Sequence, residues 1–317
     1  MDGVIIIDKP AGLTSHDVVA RVRRALGEKR VGHTGTLDPF ATGVLVVLVG
    51  RATRLAQFLS GARKEYEGVI RFGYATDTGD ATGKPVSAEQ SDAPIKMCRA
   101  NWSEPEIESA LASLRGEIEQ VPPMYSAKKV QGRKLYELAR RGREIERKAV
   151  RVRIYKFETV QPGGSLLRDN REGTCDLSVR VVCSAGTYIR ALAEQVGERL
   201  GERAHLAALR RTCAGDFKIE DAIGLDELKE RAEAGAASGL LISMNAALSE
   251  MPFVHLTTEE ARRARHGMGV NAPSLEAARV DGERLRMLDE RGELIAIGVY
   301  ERESDQVQPR VVLAAEK

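Results

Sequence analysis

Residues 32–43 read GHTGTLDPFATG and lead directly into the apolar run VLVVLV at 44–49. A short apolar run bounded by glycines is typical of a buried strand, and the Gly, Thr and Pro residues over 31–43 predict a loop before it. The buried strand would hold Asp38 rigidly, and the small residues of the loop would let a ligand approach the backbone closely. Asp38-Pro39 is also a common turn initiator, and on these residues alone a turn without function is the simpler interpretation.

Periodicity on both sides of this loop predicts a mixture of strands and helices. In the clearest strand, Leu177, Val179, Val181 and Cys183 alternate with polar positions, which is the pattern of a half-buried strand. Ser15 is the expected N-cap of a helix from about His16 to Leu26. The remaining predicted elements are strands at 3–8, 64–74 and 151–160, helices near 52–60, at 104–114 and at 187–200, and an exposed loop at 76–94. The fold class is therefore α+β.

A second, smaller unit is predicted from Met251-Pro252 onwards. Its strand-like stretches lie at 284–288, 294–300 and 310–314, and turn residues such as Asp281-Gly282 separate them. We expect a small β-rich appendage of about 65 residues.

Charge is unevenly distributed along the chain. The 317 residues include 48 basic and 46 acidic ones, for a net charge of only +2. The segment Lys128–Arg153, by contrast, has eleven basic and three acidic residues, with Tyr125 and Tyr136 close by. A local excess of this kind fits the neutralisation of RNA phosphates, although a solvated charged face is the common alternative.

Two further side chains are candidates for chemistry. Tyr66 opens the strand at 64–74 and could stack on an unpaired base, or it could simply pack in the core. Arg190 falls in the first turn of the helix at 187–200, where an arginine is poorly placed for the helix dipole. It would serve better as the partner of a carboxylate, with an ordinary exposed arginine as the alternative.

Several classes of protein are disfavoured. The four cysteines form no C-x-x-C pair and lie near no histidine, which argues against a zinc or redox site and favours reduced thiols. GDATGK at 79–84 resembles a P-loop, but its spacing is one residue short and Pro85 follows the lysine. The N-terminal apolar run is too short for a signal peptide, and no stretch is long enough for a membrane span. We expect a cytoplasmic protein without metal or nucleotide cofactor.

Five ordered motifs together resemble the TruB family of pseudouridine synthases; they lie at 3–15, 32–43, 121–129, 186–190 and 209–211. The resemblance implies the pseudouridine synthase fold, a mixed, mainly antiparallel sheet with flanking helices and a central cleft. It implies a catalytic domain at 1–250 with an RNA-clamping insertion at about 115–145. The β-rich unit at 251–317 resembles the PUA-like RNA-binding domain of bacterial members.

The resemblance also implies an activity: isomerisation of uridine 55 in the tRNA T-loop to pseudouridine, with no cofactor. Asp38 matches the essential aspartate, Arg190 the arginine that pairs with it, and Tyr66 the tyrosine that stacks on the flipped uracil. Arg190 should keep the pKa of Asp38 low. The matches to substrate-binding residues are Tyr188 and Leu209 in the uracil pocket, His33 against the RNA, and Lys9. The expected partner is the tRNA T-arm, bound by a monomer without a guide RNA.

Three alternatives remain open at this point. An RNA-binding module without catalysis would gain nothing from a carboxylate that faces RNA phosphates. An H/ACA-guided synthase would share Leu37-Asp38-Pro39 but would depend on a guide RNA, whereas the segment 115–145 resembles a bacterial clamp. A small-molecule glycosidase would need a second carboxylate, and the sequence offers no obvious one.

Overall fold

The computed structural model describes residues 1–86, 102–126, 145–161, 164–170, 173–271 and 280–313, together with the backbone of two short strands between 129 and 134. The strands are β1 (Gly3–Lys9), β2 (Val31–His33), β3 (Thr42–Val49), β4 (Lys64–Phe72), β5 (Gly116–Gln120), β6 (Lys129–Val130), β7 (Arg133–Lys134), β8 (Val150–Thr159), β9 (Leu167–Asp169), β10 (Cys175–Cys183), β11 (Ala204–Ala214), β12 (Phe217–Lys218), β13 (Phe253–His255), β14 (Val270–Asn271), β15 (Arg284–Leu288), β16 (Leu294–Glu301) and β17 (Gln306–Val312). The α-helices are α1 (Ser15–Leu26), α2 (Ala56–Leu59), α3 (Glu104–Ala112), α4 (Ile189–Leu200), α5 (Leu225–Glu233) and α6 (Thr258–Arg265).

A ten-stranded sheet forms the larger part of the molecule. Its main path runs β1-β3-β11-β4-β10-β8-β5, with β2 beside β3, β12 beside β11 and β9 beside β10. Every pairing is antiparallel except β3 with β11, which is parallel at Arg210↔Thr42 and Arg211↔Gly43. The sheet is thus mixed and mainly antiparallel, and the predicted α+β class is confirmed.

The central strand β11 was not predicted. Its register against β4 shifts between Leu206 and Ala208 and again between Arg211 and Cys213. Each bulge moves the following side chains to the other face, so the two-residue period is lost. Two polar side chains of this strand, His205 and Arg211, are buried, so the hydropathy pattern also fails to mark it as a buried strand.

Helix α1 starts one residue earlier than predicted and is capped by Thr14, not by Ser15. The Asp17 amide donates to the Thr14 hydroxyl at 3.1 Å, and the Thr14 amide donates to the Asp17 carboxylate at 2.8 Å, a reciprocal capping box. The Ser15 hydroxyl is buried and accepts from the Leu37 amide at 2.9 Å. The start of α1 therefore holds the residue directly before Asp38.

Hydrophobic cores on both faces of the sheet support this region. One core packs β4, β10 and β11 against α3 and α4; another packs β1 and β3 against α1 and α5. The C-terminal sheet, of order β13-β15-β16-β17-β14, carries α6 on its own core. Its Leu288, Leu294 and Ile297 also share a cluster with Val4 and Val44, so the two sheets are joined by apolar contact.

The expectations of no metal site, reduced cysteines and no membrane span are compared here with the described residues alone. No group of three or more His, Cys, Asp or Glu side chains that could hold a metal ion occurs among them. Cys183 and Cys213 are free thiols, but Cys175 is disulfide-bonded, so the expectation of reduced cysteines is wrong for that residue. Sequence spacing does not reveal which thiols meet in space. In the part of the chain that the structure describes, no helix is both long and apolar enough to cross a membrane.

Gly43 shows how closely the loop at 32–43 is joined to β11. Its φ is +101°, and a Cβ at this position would lie 2.2 Å from the Arg211 carbonyl oxygen. We expect Gly43→Ala to lower the free energy of unfolding by about 3 kcal/mol or more, because strain and a backbone clash act together. Gly27→Ala is the matched control, since Gly27 has a φ of +62° and no atom within 4 Å of the added Cβ. Its cost should be about 1 kcal/mol. Equal losses in urea unfolding of the two variants would contradict this account.

Candidate active site

Asp38 and Arg190 form the centre of the site. Arg190 Nε lies 2.9 Å from Asp38 Oδ2, and Arg190 Nη2 donates to Asp38 Oδ1 at 3.3 Å. The loop between β2 and β3 carries the carboxylate, and the first turn of α4 carries the guanidinium. The Arg190 side chain is 5% exposed and that of Asp38 is 32% exposed, so the carboxylate is the partner that a ligand can reach.

Arg190 also ties together two other segments. It donates from Nη1 to the Thr78 carbonyl and from Nη2 to the Tyr125 carbonyl, both at 2.7 Å. Its Nη1 lies 3.7 Å from Asp80 Oδ2. The five N–H groups of one planar guanidinium thus link the loops around Asp38, Asp80 and Tyr125, which a lysine could not do.

Asp80 is a second carboxylate at this site that sequence reasoning missed. Its side chain is 6% exposed and accepts from the Thr78 hydroxyl at 2.9 Å and the Thr82 hydroxyl at 2.6 Å. The expectation of an exposed loop at 76–94 is therefore wrong for Thr76 and Asp80, which are buried; residues 87–94 lie outside the described ones. The sequence could have indicated Asp80 through its Thr-x-Asp-x-Thr spacing, because flanking hydroxyls often hold an aspartate in a turn.

Gly79 allows this loop to reach α4. Its φ is +72°, and an added Cβ would lie 2.6 Å from Glu194 Oε1 and 3.5 Å from Arg190 Cβ. A side chain at this position would be strained by the positive φ and would displace the Glu194 carboxylate.

The pKa of Asp38 differs in direction from the expectation. Burial raises the pKa of this carboxyl above its ordinary value, and the negative charge of Asp80 acts the same way. Arg190 and Lys9 act in the opposite direction but do not reverse the shift. The expectation that Arg190 would keep this pKa low is wrong in net direction, because loss of hydration outweighs the ion pair.

Lys9 holds the loop beside Asp38 instead of contacting a ligand. Its side chain is 0% exposed, and Nζ donates to the carbonyls of Pro10, Leu13 and Pro39 at 2.8, 2.7 and 3.2 Å. All three donors of the ammonium are therefore in use, and burial lowers the pKa of Lys9 to about 8. The expectation that Lys9 binds substrate directly is wrong, because no part of its side chain is accessible.

A cavity of about 250 Å³ opens in front of the Asp38–Arg190 pair. Tyr66, Tyr188 and Leu209 line it, together with Leu37 and residues 184–187. The Tyr188 backbone is held by Gln120, which accepts from the Tyr188 amide at 2.9 Å and donates to its carbonyl at 3.3 Å. The structure thus brings Asp38, Tyr66, Tyr188, Arg190 and Leu209 together around one cavity.

His33 lies on β2, outside this cavity and edge-on to His16 at a ring-centroid distance of 5.5 Å. Burial lowers the pKa of His33 to about 4, and the positive charges of His16 and Arg211 act in the same direction. The imidazole is therefore neutral near pH 7 and presents an uncharged ring.

Two more cations border the cavity, and neither was assigned a role from the sequence. Lys64 donates to the carbonyls of Ser60 and Ala62 at 2.6 and 2.7 Å. Arg211 is 2% exposed and donates to the carbonyls of Val44 and Gly35 at 2.7 and 3.1 Å. The motif Leu209-Arg210-Arg211 could have indicated Arg211 as a site residue, but hydropathy does not distinguish a buried arginine from an exposed one.

Comparison with known families agrees with this geometry. Residues 23–189 match the family model of the TruB family pseudouridylate synthase N-terminal domain, and residues 190–249 match that of the tRNA pseudouridylate synthase B C-terminal domain. The chain belongs to the TruB family of pseudouridylate synthases. The predicted family membership and enzyme class are confirmed.

Curated relatives of the TruB family match over most of their length. The tRNA pseudouridine synthase B of Geobacillus kaustophilus (strain HTA426) is 46% identical over 278 residues, which are 86% of this chain and 92% of the relative. That of Geobacillus thermodenitrificans (strain NG80-2) is 45% identical over 295 residues, 92% of each chain.

Two solved structures that resemble this TruB-family chain belong to H/ACA complexes. A chain of an H/ACA RNP bound to a substrate RNA containing 2′-deoxyuridine superposes with a TM-score of 0.69 at 26% identity, covering 99% of this chain and 85% of that one. A chain of the archaeal box H/ACA sRNP Nop10–Cbf5 complex gives 0.67 at 27% identity, with 98% and 86% covered.

Most of the basic segment of this TruB-family chain lies outside the described side chains. Residues 127–144, which include Tyr136 and most of the cations at 128–153, belong to that part. At its end, Arg151 is 83% exposed and lies 3.7 Å from Glu119, as expected of a solvated side chain. The predicted insertion at about 115–145 therefore stays a prediction.

A pH dependence follows from the raised pKa of Asp38. If the ionised carboxylate is the active form, the rate should fall on the acid side at a higher pH than the ordinary aspartate value of about 3.9 because burial keeps the proton on. The measurement is the pH profile of single-turnover pseudouridine formation at saturating enzyme. An acid limb at or below the ordinary aspartate value would contradict the prediction.

Proposed function

We propose that the protein converts uridine 55 in the T-loop of tRNA to pseudouridine, with Asp38 as the catalytic carboxylate. The observation that carries this proposal is the contact of Asp38 with Arg190 at 2.9 Å at the edge of a cavity with aromatic and apolar walls. A reactive carboxylate beside a cavity of this size suits a single flat base. The bacterial relatives at about 45% identity are named as tRNA pseudouridine synthases, which supports tRNA as the substrate.

The target base must leave its stack before it can enter this cavity. Extrusion of a base costs a few kcal/mol, and stacking on an aromatic ring returns roughly 1–3 kcal/mol. Tyr66 supplies such a ring beside Asp38, and Tyr188 and Leu209 close the other walls. The neutral His33 ring would contact the RNA where the base has left.

The chemistry then proceeds in three steps. The C1′–N1 bond breaks with its electron pair on the uracil, and the ring turns in the cavity. C5 joins C1′, and the C5 proton is removed. Asp38 acts on the ribose or the base in the first step, and Tyr66 is the candidate base in the last. Since reactant and product are isomers, we propose that no cofactor takes part.

The domain roles complete the proposal. Residues 1–250 form the catalytic domain, the segment at about 115–145 clamps the T-arm, and 251–317 form a PUA-like RNA-binding domain. The separate five-stranded sheet over β13–β17 supports the last assignment. We propose a cytoplasmic monomer that needs no guide RNA.

A guide-dependent synthase is the second candidate, because two solved structures that resemble this chain belong to H/ACA complexes. Identity favours the first candidate, at 46% with a tRNA pseudouridine synthase B and 26% with the H/ACA chain.

One assay distinguishes the two candidates. The purified protein alone is incubated with a tRNA transcript labelled with tritium at uridine C5, and a transcript with cytidine at position 55 is the control. Release from the first transcript only, with pseudouridine mapped to position 55, is the expected result. If the tRNA binds but releases no tritium, stand-alone synthesis is refuted; release from both transcripts refutes the choice of position 55.

A further inference from the structure

Arg211 is a buried cation without a carboxylate partner among the described residues. The neighbouring Arg210 lies 2.7 Å from Asp8, and Arg190 pairs with Asp38. Arg211 is 2% exposed, against 4% for Arg190 and 39% for the Arg210 side chain. None of the ion pairs in the described parts of the chain includes it. Because burying a charge without an opposite partner is costly, the position of Arg211 needs a physical reason.

The contacts of Arg211 point to Tyr66. Its Nε donates to the Val44 carbonyl at 2.7 Å and its Nη2 to the Gly35 carbonyl at 3.1 Å, which fixes the guanidinium between β3 and the loop that carries Asp38. Arg211 and Tyr66 both line the cavity in front of Asp38. Arg211 and Tyr66 are also register partners on β11 and β4.

Tyr66 is the group next to Arg211 that can accept negative charge during the proposed reaction. Burial raises the pKa of the Tyr66 hydroxyl, and Arg211 acts against that shift. In a buried site, a cation held by two carbonyls stabilises an adjacent phenolate far more than it would in water.

We propose that Arg211 is a positioning residue that orients the Tyr66 hydroxyl and stabilises its phenolate for removal of the C5 proton. This inference rests on the proposed pseudouridine synthesis and assigns to Arg211 a part in its last step. The Tyr66 proton passes to water, and the phenolate then takes the proton from C5. The C5–H electron pair becomes the C5=C6 bond, the N1=C6 pair moves to N1, and N1 takes a proton from water. Protons and electrons balance with no other reactant.

The first test reads Tyr66 without any reaction. 3-Fluorotyrosine is placed at position 66, and its ¹⁹F shift is followed against pH in the otherwise unchanged protein and in Arg211→Gln and Arg210→Gln. Loss of the cation should raise the titration midpoint in Arg211→Gln, whereas Arg210→Gln should leave it unchanged. Equal midpoints in all three proteins would overturn the proposal.

The second test uses tRNA with deuterium at uridine C5. Arg211→Gln should slow product formation by about 10²-fold, the lower end of what a positioned base supplies, and should enlarge the deuterium effect on the rate. Tyr66→Phe should do the same, and adding Arg211→Gln to it should cost little more. A purely structural role would slow the reaction without enlarging the isotope effect, and the two losses would multiply.

Folding and activity failures are separated by two further comparisons. Arg211→Lys keeps the charge but not the planar fork, so it should fold and show an intermediate rate and isotope effect. If Arg211→Gln is unfolded, a wild-type isotope effect in Arg211→Lys would overturn the proposal. If the wild type makes no pseudouridine while the ¹⁹F midpoint depends on Arg211, the proposed function fails and the Arg211–Tyr66 coupling remains.

Discussion

Asp38→Asn is expected to abolish pseudouridine formation, with a loss of at least about 10⁴-fold in the single-turnover rate, the upper end for one positioned acid or base. Asparagine has nearly the same shape and can still accept a hydrogen bond from Arg190. It cannot act as a nucleophile or base, because its amide is uncharged at neutral pH and only very weakly basic. The tRNA affinity should therefore be nearly unchanged while the rate collapses.

The measurement is tritium release under single-turnover conditions, beside filter binding of the same tRNA. Asp8→Asn is the matched control, since Asp8 pairs with Arg210 at 2.7 Å and both side chains are more than a third exposed. Such a pair contributes little to stability, so the rate should stay at the wild-type level. An Asp38→Asn rate within tenfold of wild type would transfer the catalytic role to another group, with Asp80 the nearest candidate at this site.

Arg190→Lys should have the second largest effect, a rate loss of about 10²- to 10³-fold, because a point charge cannot replace a planar fork with several acceptors. Arg190 contacts Asp38, the Thr78 carbonyl and the Tyr125 carbonyl at 2.7–3.3 Å. A lysine at position 190 cannot make all of these contacts at once, so the Asp38 carboxylate loses its fixed orientation. Arg190→Ala would go further, because it also leaves the buried Asp80 carboxylate without its cation, a loss of about 3–5 kcal/mol of stability for a buried pair.

The pH profile separates catalysis from folding in this variant. Arg190 lowers the pKa of Asp38 while burial raises it, so a weaker ion pair should move the acid limb of the rate to higher pH. Arg199→Lys is the control on the same helix, because Arg199 is exposed and makes only a 3.3 Å contact with Ser113. Wild-type activity in Arg190→Lys with an unmoved acid limb would remove Arg190 from the mechanism.

Elements with regular periodicity were predicted well from the sequence. The strands at 3–8 and 176–183 appear as Gly3–Lys9 and Cys175–Cys183, and the helix at 187–200 as Ile189–Leu200. In Cys175–Cys183 one face is uniformly apolar, in Gly3–Lys9 the apolar run Val4–Ile7 is buried, and the helix buries an almost wholly apolar stripe, so the pattern carries the information. The predicted loop at 31–43 is shorter than expected, since its first residues form β2 (Val31–His33) and its last two begin β3 (Thr42–Val49).

The strand β11 and the short elements of the C-terminal unit were harder to predict from the sequence. In β11, two bulges interrupt the alternation, and buried arginine and histidine replace apolar residues. The strands β13 and β14 are only three and two residues long, too short for a period to show. Helix α6 has a strongly polar sequence with two buried alanines.

The sequence by itself determined the family, the α+β class and the residues that could react, because motifs and periodicity are local and survive without coordinates. The tertiary structure decided how those residues act. It placed Asp80 beside Arg190, buried Lys9 completely and brought Arg211 and Tyr66 to the wall of one cavity. It also reversed the expected direction of the Asp38 pKa. Burial, the pairing of charges and the choice of hydrogen-bond partner depend on segments far apart in the chain, and one-dimensional spacing does not encode which of them meet.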